Sequence, residues 1–203
     1  MSTLHASSTQ RNRQIPMLRM SGVSMIEVLI TIVVLSVGLV GLAKLQAYLQ
    51  VTEMESYQRS QALLLVKDMA NRIAINRKLA SSYVVSPTAP LGAGMTCATT
   101  TSSSTLAQVD FAEWCTALKG AAEQIGTSNL GSVLGGRGCV EQLTNPNEYL
   151  VTVAWQGLVP LVAPATSVTC GASQYRTSDG GVCDASELCR RTVTTVVRIE
   201  SLS

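Results

Sequence analysis

An apolar segment near the start of the chain limits its possible folds more than any other feature. Residues 23–43 contain a single ionisable side chain, that of Glu27. A helix of this length is about enough to cross the hydrocarbon core of a bilayer, so the segment predicts one transmembrane helix. A carboxylate inside a membrane segment costs a few kcal/mol, and such an acid is therefore expected to have a function.

The charges on either side of the segment predict its orientation. Residues 1–22 contain three arginines and no acid, and the first basic residue after the segment is Lys44. Because basic flanks stay on the cytoplasmic side, we expect the remainder of the chain to be exported. Removing residues 1–22 would change the formal charge from +2 to −1. No basic patch remains that would suggest a nucleic-acid partner.

Gly22 lies directly before the apolar segment, and Glu27 lies five residues after Gly22. This layout resembles the N-terminus of type IV pilins and pseudopilins, where a short basic leader ends in Gly and the fifth mature residue is Glu. The resemblance implies that residues 1–22 are a leader cut by a prepilin peptidase between Gly22 and Val23. It also implies that Val23 is then N-methylated and that Glu27 serves assembly. The family usually has Phe at the position of Val23.

Residues 1–22 contain a second possible start of the leader. Residues 17–22 begin with Met17 and contain one arginine, Arg19, which makes a compact leader of the kind that the resemblance implies. Residues 1–16 add no apolar segment. We therefore expect a chain that starts at Met17 to be processed and assembled as well as one that starts at Met1.

A narrower resemblance concerns residues 37–46 (VGLVGLAKLQ) and the Cys189-Arg190-Arg191 sequence before the last strand. Both look like PilV-type minor pilins, which implies a subunit that primes, modifies or supports assembly of a type IV pilus. Its partners would be prepilin peptidase, other major and minor pilins, and the membrane. The chain would span the inner membrane once, with a periplasmic head, and then move to the pilus at the cell surface.

Two alternatives remain open from the sequence. The chain could be a minor pseudopilin of a type II secretion system, or a membrane-anchored adhesive module that never polymerises. An enzyme is not expected: the only histidine, His5, lies in the leader, which excludes Ser-His-Asp and Cys-His sites and histidine-bound metals from the mature chain. We predict no cofactor and no metal.

Six cysteines follow the apolar segment, at Cys97, Cys115, Cys139, Cys170, Cys183 and Cys189. An even number in an exported domain predicts disulfides, whereas zinc sites usually contain close Cys-x-x-Cys pairs. Six cysteines allow 15 pairings. Proximity along the chain suggests Cys97–Cys115, with Cys139 paired to one of the last three.

The remaining patterns predict an α+β fold. A long helix over 24–79 is expected from the absence of Pro and Gly after residue 41, and its apolar residues at 62, 66, 69 and 73 form an amphipathic stripe. The predicted division is a leader at 1–22, a transmembrane and assembly helix at 23–43, its amphipathic continuation at 44–79, and an exported globular head at 80–203.

Within the head, a second helix is predicted over 105–125, with Gly126 as its C-terminal cap. Alternating residues predict strands at 149–155 and 191–199, joined by a long loop over 160–188. The glycine-rich stretch 131–138 lacks the Lys-Ser/Thr of a phosphate-binding loop and is interpreted as a turn. The long N-terminal helix is therefore expected to pack on a small antiparallel β-sheet head that disulfides stabilise.

Overall fold

The computed structural model describes residues 22–120, 124–125, 128–129, 133–175, 183 and 187–200. The chain divides into two compact units, Met1–Gln46 and Ala47–Ser203. In chain order, the elements are α1 (Met25–Ile75), a 3₁₀ segment (Arg77–Tyr83), β1 (Leu91–Gly92), α2 (Leu106–Leu118), β2 (Gln124–Ile125), β3 (Ser128–Asn129), β4 (Arg137–Gln142), β5 (Glu148–Gln156) and β6 (Arg190–Arg198). The predicted α+β class is confirmed.

The first unit contains the beginning of α1. This helix is long and apolar enough to cross a membrane, and none of its most apolar stretch is buried within the protein. Large apolar side chains from Val23 to Leu45 are exposed. A helix that is apolar on all sides needs lipid or other protein around it.

In the second unit, α1 buries one stripe of its surface. Ala62, Val66, Met69 and Ile73 are all at most 1% exposed, which confirms the predicted amphipathic face. Gln58, one turn earlier, is buried as well. The stripe joins the main hydrophobic core together with residues of α2, β4, β5 and β6.

The predicted end of the long helix at residue 79 was wrong. The α-helix stops at Ile75, and Asn76 leaves helical geometry with φ −95° and ψ 38°. The side-chain Nδ2 of Asn76 donates to the hydroxyl of Tyr83 at 3.1 Å. The tighter 3₁₀ turns that follow bury Ala80 and Tyr83, so tertiary packing overrides the helical propensity of this stretch.

The second helix is shorter than predicted. Thr105 caps its start, since its Oγ1 accepts from the Gln108 backbone and the Gln108 side chain accepts from the Thr105 backbone. The helix ends at Leu118, and Gly120 takes a positive φ of 79° that terminates it, six residues before the expected cap. Residue 125 belongs to β2, and residue 126 lies outside the described residues.

The main sheet is antiparallel, with the strand order β1-β4-β5-β6. The predicted strands at 149–155 and 191–199 are confirmed as β5 and β6, whereas β1 and β4 were not predicted. Gly138 in β4 explains the close packing there: a Cβ on this residue would come within 2.2 Å of the Trp114 ring. A glycine that looked like part of a turn is therefore a packing residue of a buried strand.

The first part of the connection between β5 and β6, residues 157–175, covers the sheet face opposite the main core. Cys170 and Tyr175 from this connection form a second buried cluster with Cys139 and Ala154 of the sheet. The guanidinium of Arg190 donates to the backbone oxygens of Val168 and Cys170. Because of this cover, the middle of β5 is buried on both faces.

Candidate functional site

The predicted processing and assembly residues lie where α1 begins. Gly22 to Ser24 have no regular structure, and the helix starts at Met25. The backbone N–H groups of Glu27 and Val28 both donate to the Ser24 carbonyl, at 3.0 and 3.3 Å. Glu27 therefore lies in the first helical turn, where a carboxylate interacts favourably with the helix dipole.

The two residues that flank the predicted cleavage point are accessible. Val23 is 71% exposed, and Gly22 is exposed as well. A Cβ added to Gly22 would meet no atom within 4 Å. Nothing in the described chain therefore requires glycine at this position.

The same openness holds further along the apolar segment. Added Cβ atoms at Gly38 and Gly41 would also meet nothing within 4 Å, apart from the backbone of their own helix turns. Neither glycine is needed for packing against the residues that the structure describes. A surface of this kind is suited to contact with lipid or with a neighbouring helix.

The six cysteines form three disulfides, as predicted. The pairs are Cys97–Cys115, Cys139–Cys170 and Cys183–Cys189, with Cα–Cα distances of 5.6, 5.9 and 5.3 Å. The first bond ties the loop before α2 to the buried face of that helix. The second fixes the β5–β6 connection to β4, and the third closes a short loop before β6. No cysteine is free in the part of the chain that is described.

A polar network, which sequence patterns did not indicate, joins the end of α1 to α2. The Nη1 of Arg72 donates to Asp110 at 2.6 Å and to Glu113 at 2.7 Å, and its Nε pairs with Asp68 at 3.0 Å. The hydroxyl of Tyr83 donates to the other oxygen of Asp110. Asp110 is buried, so this arrangement satisfies a carboxylate that would otherwise be costly.

The network perturbs the titration of two of its members. Burial alone would lower the pKa of Arg72, but its hydrogen bonds to Glu113 and Asp110 outweigh burial and raise that pKa above its usual value. Burial, and then the hydrogen bond to Asp110, raises the pKa of Tyr83 to about 12. Both groups therefore keep their ordinary protonation states at neutral pH.

A second long-range contact attaches the start of the β5–β6 connection to α1. The Glu55 carboxylate accepts from the backbone N–H of Leu158 at 2.6 Å and pairs with the Arg191 guanidinium at 3.4 Å. Arg191 also donates to the carbonyls of Val159 and Leu188. These bonds fix one wall of a cavity of about 330 Å³ between α1 and the β5–β6 pair.

The described residues include no group of three or more His, Cys, Asp or Glu side chains arranged to hold a metal ion. A model of the type IV pilin family "Tt1218-like: Type IV pilin Tt1218" matches residues 45–112, from the middle of α1 into α2. No curated protein and no solved structure matches the chain. The family match supports the identification of this chain as a type IV pilin. Type IV pilins are a family of structural proteins and not of enzymes.

Proposed function

We propose that this chain is a PilV-type minor pilin, which is processed by prepilin peptidase and incorporated into a type IV pilus to prime, modify or support assembly. The observation that carries the proposal is the helix start itself. An accessible Gly22–Val23 bond precedes an exposed apolar helix whose only ionisable group up to Ala43 is Glu27. The family match over residues 45–112 supports the type IV pilin part of this proposal from another part of the chain.

The first step is cleavage after Gly22. Because an added Cβ at Gly22 would meet none of the described residues within 4 Å, a requirement for glycine would come from the active site of the peptidase. Cleavage creates a new amine on Val23, which the same enzyme would methylate. The amine is cationic, and Val23 precedes Glu27 by four residues.

The second step is transfer from lipid to the filament. In lipid, the Glu27 carboxylate lies in an apolar surrounding, which is costly for an unpaired charge. In a bundle of such helices, the Val23 amine of one subunit can pair with Glu27 of a neighbour, and exposed apolar side chains exchange lipid for protein contacts. Pairing removes a penalty of several kcal/mol, so Glu27 both recruits the subunit and sets its register.

The exported part favours a specialised subunit. It contains three disulfides, and long-range polar contacts join it to α1 at Glu55 and Arg72. Such an elaborate head is expected of a component present in few copies. Before assembly it would face the periplasm, and after assembly the cell surface.

Two other functions make different predictions. A minor pseudopilin of a type II secretion system would use the same cleavage and the same acid, but it would be missing from filaments sheared off the cell. A membrane-anchored adhesive module would keep its function when Glu27 is replaced. Detection of the chain on sheared filaments distinguishes a minor pilin from a minor pseudopilin. The Glu27 variants below distinguish a minor pilin from a membrane-anchored adhesive module.

Cleavage is tested by intact mass and N-terminal sequencing of the protein from cells with an active prepilin peptidase. We expect the mature chain to begin at Val23. The variant Gly22→Phe should remain uncut, whereas Ser21→Ala, at the neighbouring leader position, should be cut normally. A mature N-terminus beyond residue 30 would contradict the proposal.

Assembly is tested with Glu27→Gln, which keeps the shape of the side chain but removes its charge. The variant should accumulate in the membrane at normal levels and be at least tenfold depleted from filaments. Glu53→Gln, which removes an exposed acid from the same helix, is the matched control and should assemble normally. Normal incorporation of the Glu27 variant would show that this carboxylate does not recruit the subunit.

A further inference from the structure

Strand β6 forms one edge of the main sheet, and half of its backbone groups have no strand partner among the described residues. The Ile199 N–H donates to the Asn147 carbonyl, and the Gly157 N–H donates to the Cys189 carbonyl. These two bonds, one at each end of the β5–β6 pair, show which residue pairs of the ladder are hydrogen-bonded. Because hydrogen-bonded pairs alternate in an antiparallel ladder, odd-numbered residues of β6 bond to β5. The N–H and C=O groups of Thr192, Thr194 and Val196 therefore point away from the sheet.

This edge has few of the features that usually protect one. From Thr192 to Val197 the strand is built only from threonine and valine, with no charge, Pro or Gly. Thr194 and Val196 are exposed, and the arginines lie only at the ends of the strand. Proteins commonly protect such edges with Lys, Pro or a bulge, and a long unprotected edge of β-branched residues is a template for another strand.

A cavity with spare hydrogen-bond donors lies beside the start of this edge. It has a volume of about 330 Å³, and its lining includes Trp155, Thr192 and Arg59. Trp155 is only 3% exposed, and its buried indole Nε1 has no hydrogen-bond partner in the part of the chain that the structure describes. Arg59 is exposed and makes no ion pair with any described residue.

The charges around the cavity favour an anion. Of its two arginines, Arg191 is already paired with Glu55, whereas Arg59 has no ion-pair partner within the described ranges. The indole N–H and the hydroxyl of Ser56 can also donate to an anion, whereas the Thr52 hydroxyl already donates to the Tyr48 carbonyl at 3.0 Å. A carboxylate bound to a guanidinium and neutral donors is the complementary group.

We propose that β6 accepts an extended peptide segment of a partner protein as a fifth strand, and that a carboxylate side chain of this segment enters the cavity beside Arg59 and Trp155. The strand geometry connects the two parts of the site. Side chains of directly opposite residues in a sheet share a face, so guest residues opposite Arg191 and Val193 would point to the side on which Trp155 and α1 lie. Backbone bonds to the edge supply affinity, and the carboxylate supplies specificity.

The inference does not depend on leader cleavage or filament assembly, and the full-length chain in detergent suffices to test it. The probe is a capped octapeptide of alternating threonine and valine with one central glutamate, compared with the same peptide containing glutamine. The chain has two tryptophans, so the indole N–H region of an NMR spectrum contains two signals. Trp114 is the internal control, because its Nε1 already donates to the Leu65 carbonyl.

The glutamate peptide should shift the Trp155 indole signal, leave that of Trp114 in place, and slow hydrogen exchange of the Thr194 and Val196 amides at least fivefold. The glutamine peptide should bind at least tenfold more weakly. Arg59→Gln should weaken binding of the glutamate peptide to the same degree. Lys67→Gln, which removes an exposed cation two turns further along α1, should not.

The edge itself is tested with Thr194→Pro. This change removes an outward N–H and keeps the β5 ladder, which uses the neighbouring Thr195. Protection of the Val151 amide should persist in this variant while peptide binding falls at least tenfold. Equal binding of both peptides, a Trp155 signal that stays unmoved at 5 mM peptide, or undiminished binding to the proline variant would each overturn the proposal. Should the proline variant lose its fold, the exchange rates of Thr194 and Val196 in the unmodified chain decide the question.

Discussion

Replacement of Asp110 by alanine tests whether the polar network between α1 and α2 stabilises the second compact unit, Ala47–Ser203. Asp110 and Glu113 both accept a hydrogen bond from Nη1 of Arg72, at 2.6 and 2.7 Å. Their side chains differ in exposure, at 9% for Asp110 and 58% for Glu113. The pair therefore compares a buried and an exposed carboxylate that contact the same donor.

The expected cost follows from the bonds that each change removes. Asp110→Ala removes the bond from Arg72 and that from the Tyr83 hydroxyl, and bonds to charged groups contribute about 1.5–3 kcal/mol each. Arg72 keeps its contacts with Asp68 and Glu113, which limits the damage. We expect a loss of about 3–4 kcal/mol in the free energy of unfolding. Glu113→Ala should cost less than about 1 kcal/mol, since exposed ion pairs contribute little.

The measurement is denaturant unfolding of the full-length chain in detergent, followed by tryptophan fluorescence. Asp110→Asn is a useful third variant, because the amide keeps one acceptor oxygen and the shape of the side chain. Its cost should fall between those of the two alanine variants. If Asp110→Ala and Glu113→Ala differ by less than about 0.5 kcal/mol, burial does not determine the strength of these contacts and the reasoning fails.

Three further predictions concern the same unit. Replacing Cys139 and Cys170 together by serine should cost about 4 kcal/mol on the loop-closure estimate for a 31-residue separation, measurable as a lower denaturation midpoint; an unchanged midpoint would contradict it. Gly138→Ala should destabilise by about 1–3 kcal/mol, because the added Cβ overlaps the Trp114 ring, and a neutral effect would show that the ring can move. Burial raises the pKa of Tyr175 to about 12, so the folded state retains a proton that the unfolded chain releases near pH 10; stability should fall between pH 10 and 12, and Tyr175→Phe should make that slope shallower.

Sequence patterns predicted the elements whose residues repeat with a regular period. The stripe from Ala62 to Ile73 was found because each of its members contacts the core, and β5 was found because its residues alternate. The predicted ends of α1 and α2 were wrong because sequence periodicity does not show where packing ends a helix. Helical propensity continues past Ile75 and Leu118, but packing of Tyr83 and the positive φ of Gly120 end the helices earlier.

Other features could not be predicted because they depend on contacts between distant residues. From the sequence alone, Gly138 indicates a turn. The structure shows that Gly138 leaves space for the Trp114 ring, which lies 24 residues earlier in the chain. The contact between Arg72 and Asp110 joins residues 38 apart, and that between Glu55 and Leu158 joins residues 103 apart. The roles of Gly22, Val23 and Glu27 remain predictions, since they concern a peptidase and neighbouring subunits.

The order of elements along the chain has a consequence for folding during synthesis. The buried stripe of α1 ends at Ile73, whereas Val197, which belongs to the same core, lies in the last strand. At ordinary elongation rates, of the order of 10 s pass between the synthesis of these two residues. Throughout that interval the apolar stripe has been made but its sheet is incomplete, so the stripe is exposed to aggregation until β6 has been synthesised.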